Sequence, residues 1–160
     1  MAFLNNVVNA PKEIRLDLRN SVGKPRLKTV AKVYLMANIP YSDRDKFDIY
    51  RVVSGLACFQ TDKGENFDSG GSFPYVVSNR YHRVDTPSHM ERLFYRLLDR
   101  TAGVDSVFLD ILSKMAVRMI LEGAYFNCDL LLHDLLNWSD EIRKEWELLF
   151  VKNISAVADE

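Results

Sequence analysis

The chain has 160 residues, of which 48% are hydrophobic and 27% are charged, and its formal net charge at pH 7 is −1. This composition is typical of a folded globular protein and excludes an intrinsically disordered one. No apolar run approaches the ~20 residues that span a bilayer, and residues 1–10 lack the features of a signal peptide. We therefore expect a cytoplasmic protein without a membrane partner.

The charged residues are unevenly distributed along the chain. Residues 11–32 contain seven lysines and arginines against two acidic residues, whereas residues 140–160 contain three basic and six acidic residues. This asymmetry indicates one surface that faces a polyanion and another that does not. Chance clustering on a solvated surface is the alternative explanation.

Hydrophobic spacing predicts three helices in the first part of the chain. Pro11 suits the first turn of a helix that ends near Gly23. A second helix begins at Pro25 and ends at residues 39–40, because the residue before a proline is driven out of the α region. Residues 42–45 form an N-cap with acidic side chains in the first turn of a third helix. The third helix is expected to bury Ile49, Val52, Val53, Leu56 and Phe59.

A polar, glycine-rich segment follows at residues 61–72 and predicts a break between two halves of the chain. It is not a phosphate-binding loop, because no Lys-Ser/Thr pair follows its glycines. We therefore expect an N-terminal helical bundle over residues 1–62, a flexible loop over residues 63–72 and a C-terminal helical bundle over residues 73–160.

The second half also has mainly helical spacing. Residues 73–81 form either a short helix beginning at Pro74 or a strand, and the next helix starts at residues 86–88. A longer helix ends at Gly123, and Asp129 and Ser139 are expected to cap the last two helices. With about seven helices and no convincing alternating strand, the predicted fold is all-α, built as two small helical bundles. The expected core positions are Leu93, Phe94, Leu97, Leu98, Phe108, Ile111, Leu112, Met115, Met119, Ile142, Trp146, Leu149 and Phe150.

No motif in the chain indicates catalysis. The three histidines, His82, His89 and His133, lack the spacing of a zinc site. Cys58 and Cys128 are far apart in apolar surroundings, which predicts two buried residues that act as small hydrophobes. A serine-nucleophile elbow and a His-Glu-x-x-His helix are both absent. We expect no catalytic residue, no metal and no cofactor.

Four motifs resemble those of one known family. Residues 91–99, Glu-Arg-Leu-Phe-Tyr-Arg-Leu-Leu-Asp, resemble its Arg-Phe-x-x-Leu-Leu-x-x-Asp helix, and residues 131–138, Leu-Leu-His-Asp-Leu-Leu-Asn-Trp, resemble its Leu-Leu-x-Asp-Leu-x-x-Trp. Residues 14–21 resemble its arginine-bearing first helix, and residues 112–115 lie where the family often has Leu-Arg-Arg-Leu. In order and spacing, the chain is similar to the CasB family, the small subunit of the type I-E CRISPR surveillance complex Cascade. Ser113 and Lys114 depart from the family's two arginines, which weakens the charge there.

The resemblance implies a non-catalytic protein of two helical bundles, present in two copies beside the subunits that hold the guide. The implied partners are the other Cascade subunits, the CRISPR RNA, and the target and displaced DNA strands. Opening DNA against a guide is a near-balanced exchange of duplexes, so basic groups that hold the freed strand favour the open state. The candidate nucleic-acid contacts are Arg15, Arg19, Lys24, Arg26, Lys28, Arg44, Arg51, Arg92, Lys114, Arg118, Arg143 and Lys144.

Two other functions remain open at this point. A helical scaffold or adaptor that binds only proteins has no need of a basic surface, and its binding would depend little on salt. A helical enzyme would need a pocket with convergent polar groups. Any single basic side chain in the set can also be a solvated charge, and Arg143 is four residues before Glu147, at the spacing of a local ion pair.

Overall fold

The computed structural model describes residues 2–23 and 45–158, and this part of the chain is all-α, as predicted. Its eight helices are α1 (Ala2–Val8), α2 (Lys12–Asn20), α3 (Phe47–Asp62), α4 (Phe73–Tyr81), α5 (His89–Leu98), α6 (Ser106–Leu121), α7 (Cys128–Leu136) and α8 (Asp140–Ala158). Within these ranges the only β pairing is one isolated bridge between Gly71 and Phe126. The helix predicted to begin at Pro25 lies outside the described residues, as do residues 42–44 of the N-cap predicted over residues 42–45.

The helices share one hydrophobic core that runs from Phe3 in α1 to Phe150 in α8. Helix α3 packs against α1, α2, α6 and α7, and α4 packs against α8. An aromatic group fills the contact between α4, α5 and α8: the Phe94 ring is stacked on Trp146 at 6.1 Å and on Phe150 at 5.0 Å. The predicted core positions of α3 and α6 are all buried.

Several predicted helix ends are confirmed, and one is wrong. The left-handed backbone of Gly123 follows α6, and the Ser139 hydroxyl accepts a hydrogen bond from the Ile142 amide in the first turn of α8. Residues 73–81 form a helix and not a strand. Asp129 does not cap α7: the cap is Asn127, whose side chain accepts from the Leu130 amide at 3.1 Å. Asparagine and aspartate can both cap a helix, so the residue type did not decide between them; Asn127 is the cap because α7 begins directly after it, at Cys128.

The segment between α3 and α4 is held by contacts with a distant part of the chain. The amide of Gln60 donates to the carbonyls of Asn66 (3.0 Å) and Phe126 (2.9 Å), and its oxygen accepts from the Phe126 amide (3.2 Å). Phe67 is buried, and its carbonyl accepts from the Cys128 amide at 2.7 Å. Packing is therefore continuous across the predicted boundary at residues 63–72, and the division into two bundles stays a prediction.

The two cysteines are free and fully buried, as expected. Burial, together with the charge of Asp62, raises the pKa of the Cys58 thiol to about 12, and burial also raises the pKa of Cys128. Both thiols are therefore neutral and act as apolar side chains.

Close approach of α2 to α3 depends on Gly55. A β-carbon there would lie 2.5 Å from the Leu18 carbonyl oxygen and would also collide with the Val22 side chain. The absent side chain lets the C-terminal end of α2 lie directly on α3. This contact positions the arginines of α2 against the end of α3.

Candidate nucleic-acid interface

Helix α2 and the end of α3 together form a basic surface, here called the α2–α3 cluster (Arg15, Arg19, Asp62 and Lys63). The Asp62 carboxylate pairs with both arginines, at 3.3 Å from Arg15 and 3.4 Å from Arg19. The Arg19 guanidinium lies 4.3 Å from the centre of the Phe59 ring, and the Lys63 ammonium lies 5.8 Å from the same ring. One carboxylate among three cations leaves the cluster with a net positive charge.

Helix α5 carries a second basic surface, here called the α5 face (Arg92, Tyr95 and Arg96). Arg92 and Arg96 are exposed and one turn apart, and their side chains have no ion pair or hydrogen bond among the residues whose side chains the structure describes, 3–23 and 45–151. Arg92 is one of the predicted contacts, whereas Arg96 and Lys63 were not predicted. The four-residue spacing from Arg92 was the sequence signal that could have identified Arg96.

The N-terminus of α5 is fixed by a buried carboxylate. Glu91 accepts hydrogen bonds from Nδ1 of His82 (2.9 Å) and from the amides of Arg83 (2.7 Å) and Ser88 (3.1 Å). The Ser88 hydroxyl accepts from the Glu91 amide, which completes a capping box. Burial alone would raise the pKa of Glu91, but these hydrogen bonds outweigh it and the pKa is lowered. The anchored end of α5 holds the backbone that carries Arg92 and Arg96.

Three of the other predicted cations have carboxylate partners close to them in sequence. Lys114 lies 3.1 Å from Asp110, and Arg118 lies 2.8 Å from Glu122. Arg143 lies 3.9 Å from Glu147, so the local ion pair suggested by their spacing is present, and a second carboxylate, Asp140, is 3.6 Å away. A phosphate that binds these cations must compete with the existing pairs. Lys144 is exposed and has no partner in the described ranges.

Glu122 links α4 to the end of α6. It accepts from the Tyr81 hydroxyl at 3.0 Å as well as from Arg118, and its backbone carbonyl accepts from Arg80 at 3.2 Å. The hydrogen bond from Arg118 lowers the pKa of Glu122, while burial and the Glu122 contact raise the pKa of Tyr81 to about 12. Arg118 is thus part of a structural polar network as well as a surface cation.

The predicted nucleic-acid contact at Arg51 is wrong. Only 6% of it is exposed, its Nε donates to Asp48 at 3.1 Å, and its Nη1 donates to the Ser21 carbonyl at the end of α2. A buried guanidinium with these partners joins α3 to α2 and is not available to a phosphate. Of the remaining predicted contacts, four lie outside the described residues: Lys24, Arg26, Lys28 and Arg44.

A cleft of about 650 Å³ lies between the α5–α6 and α7–α8 turns. Its charged lining consists of Asp99, Arg100, Asp140 and Arg143, so it presents no excess of positive charge. A second, mostly apolar groove of about 510 Å³ runs beside α6 and includes Val22, Val117 and Leu121. In the part of the chain that the structure describes, no three His, Cys, Asp or Glu side chains are grouped to hold a metal ion.

None of the helices in the described ranges combines the length and the apolar character that a membrane crossing requires. Comparison of the chain with models of protein families, with curated proteins and with solved structures finds no match.

Proposed function

We propose that this chain is the non-catalytic small subunit of a type I-E Cascade-like, RNA-guided DNA surveillance complex in the cytoplasm. In this role it stabilises the guide RNA–target DNA R-loop and the displaced strand through sequence-independent basic contacts. Its partners are the other subunits of the complex, the CRISPR RNA, both DNA strands and a second copy of itself. The observation that supports it best is the α5 face, where the exposed Arg92 and Arg96 side chains have no partner among the described residues.

Unpaired arginines matter because phosphates can bind them without breaking an existing ion pair. Each phosphate that is neutralised releases condensed counterions, and this release favours binding without regard to base sequence. The α2–α3 cluster adds positive charge from Arg15, Arg19 and Lys63, reduced by the single carboxylate of Asp62. Sequence choice stays with base pairing to the guide, so these contacts need only hold the backbone.

A helical adaptor that binds proteins without nucleic acid is the second candidate. The apolar groove beside α6 favours it, since Leu121 is 62% exposed there and Val117 is only partly covered. Exposed apolar surface of this kind is typical of protein contacts. Within a surveillance complex the same groove is compatible with docking on a neighbouring subunit.

The first test is the salt dependence of binding between the purified chain and a labelled single strand. The double variant Arg92→Gln/Arg96→Gln should make the negative slope of log K against log salt shallower by about 1.4, because each single-strand phosphate contributes about −0.7. Lys114→Gln is the matched control: it removes a cation that is already paired with Asp110, so a smaller change is expected.

A second arm uses the RNA-guided complex, assembled with and without this chain, and measures opening of the target duplex. Omission should weaken opening, and the double variant should reproduce part of that loss. If the chain joins the complex, but neither its omission nor the double variant changes opening of the target duplex, the chain is a protein adaptor. A chain that neither joins the complex nor binds nucleic acid contradicts the proposal.

A further inference from the structure

A small cleft lies between α5 and α8, directly beside the α5 face. Its volume is about 200 Å³, and its apolar wall is formed by Tyr95, Leu98, Phe150 and Val151. Its polar lining includes Arg143 and Glu147 of α8. An apolar wall that includes an aromatic ring, with a few polar groups at one side, is suited to an aromatic heterocycle.

The Tyr95 ring is both exposed and supported. Tyr95 is 39% exposed, and its ring packs edge-to-face against Phe150 at 5.7 Å. Phe150 is itself buried and stacked on Phe94 at 5.0 Å. The aromatic core therefore holds the Tyr95 ring in a fixed position, which reduces the entropy lost when a partner stacks on it.

The cations at this position favour a charged polymer over a neutral ligand. Arg92, Tyr95 and Arg96 are all exposed, and Arg92 lies one turn before both Tyr95 and Arg96 on α5. The carboxylates of Asp99 and Glu147 line the cleft and repel phosphate. A bound strand would therefore run its backbone along the arginines and direct a base towards the cleft.

We propose that this cleft binds one unstacked base of a single-stranded nucleic acid, with the base against Tyr95 and the adjacent phosphates on Arg92 and Arg96. This inference rests on the proposed function and adds a base-contact site and a preference for single strands. Bases in a duplex are paired and stacked, and cannot enter such a cleft. Stacking on an aromatic side chain tolerates any base, so the site holds a strand without selecting its sequence.

The test compares two labelled single strands of equal length and charge, one with bases and one fully abasic, by fluorescence anisotropy. The wild-type chain should bind the intact strand about tenfold more tightly, as expected for stacking of one base. Tyr95→Leu should remove this difference while leaving the affinity for the abasic strand unchanged, and Tyr95→Phe should keep it. Tyr75→Leu changes another exposed tyrosine, 44% accessible, and is the matched control.

The outcomes separate the base site from the proposed function. Equal, salt-dependent binding of both strands by the wild type overturns the base site and leaves the basic contacts standing. Absence of binding to either strand overturns both. Equal losses for the two strands in Tyr95→Leu, with an unchanged urea midpoint, identify a merely structural tyrosine and overturn the base site. Duplex binding as tight as that of the intact strand contradicts the single-strand preference.

Discussion

The contact at Gly55 allows a quantitative prediction for Gly55→Ala. The new β-carbon would lie 2.5 Å from the Leu18 carbonyl oxygen, and a backbone atom cannot move aside as a flexible side chain would. Overpacking of this kind costs about 1–3 kcal/mol. Replacing glycine by alanine inside a helix recovers about 0.8–1 kcal/mol of helix propensity. Because the clash at Gly55 is with backbone, the overpacking cost lies in the upper half of this range, about 2–3 kcal/mol, and we expect a net loss of about 1–2 kcal/mol in the free energy of unfolding.

Urea denaturation followed by circular dichroism measures this loss, with the slope m expected to stay constant. Gly23→Ala is the matched control, because a β-carbon at Gly23 meets no atom within 4 Å and should change stability by less than about 0.5 kcal/mol. Gly55→Ala should also weaken binding to a single strand, since α2 carries Arg15 and Arg19. Equal unfolding midpoints for the two alanine variants would refute the argument that α2 lies on α3 by way of this glycine.

Two further predictions concern helix ends. Because the pKa of Glu91 is lowered in the folded chain, its contribution to stability is present above the ordinary value of 4.5 and is lost as pH falls through the folded pKa. Urea midpoints measured from pH 7 to pH 3 should therefore fall less steeply for Glu91→Gln than for the wild type, and parallel curves would contradict this. Asn127→Ala should cost about 1 kcal/mol through loss of the α7 cap, while Asn127→Asp keeps an accepting oxygen and most of the stability; equal losses would reject Asn127 as the cap.

Most of the fold could be predicted, because amphipathic spacing identifies long helices. The exception among the described elements is α1, which was not predicted. It has only seven residues, and its apolar side chains are buried by packing against α3, which the local sequence does not reveal. Residues 73–81 were ambiguous because adjacent valines fit either a helix or a strand, and tertiary packing on α8 decides between them. The α7 cap was placed two residues late because Asn127 and Asp129 both have capping side chains.

The basic surface was less predictable than the fold, because the sequence alone does not distinguish a buried arginine from an exposed one. Arg92 lies on the exposed face of α5, which is strongly amphipathic. Arg51 lies on α3, and this helix is apolar around most of its circumference and buried on nearly every side. A charged residue on such a helix must find a partner inside the fold, and Arg51 does so at Ser21. The composition of the whole helix, and not the charge alone, was the relevant signal.

The Gln60 bridge has a consequence for how this chain acquires its structure. The amide contacts between Gln60 and Phe126 close a loop of 66 residues, and closing a long loop is slow, so we expect these contacts to form late in folding. We therefore expect the segment between α3 and α4 to gain its final order only after residue 126 has been synthesised. A fragment ending before residue 126 would leave the buried Gln60 amide without its main partners. We expect such a fragment to be degraded or to aggregate. The parts of the chain before and after residues 63–72 should therefore fold only when both are present in one chain.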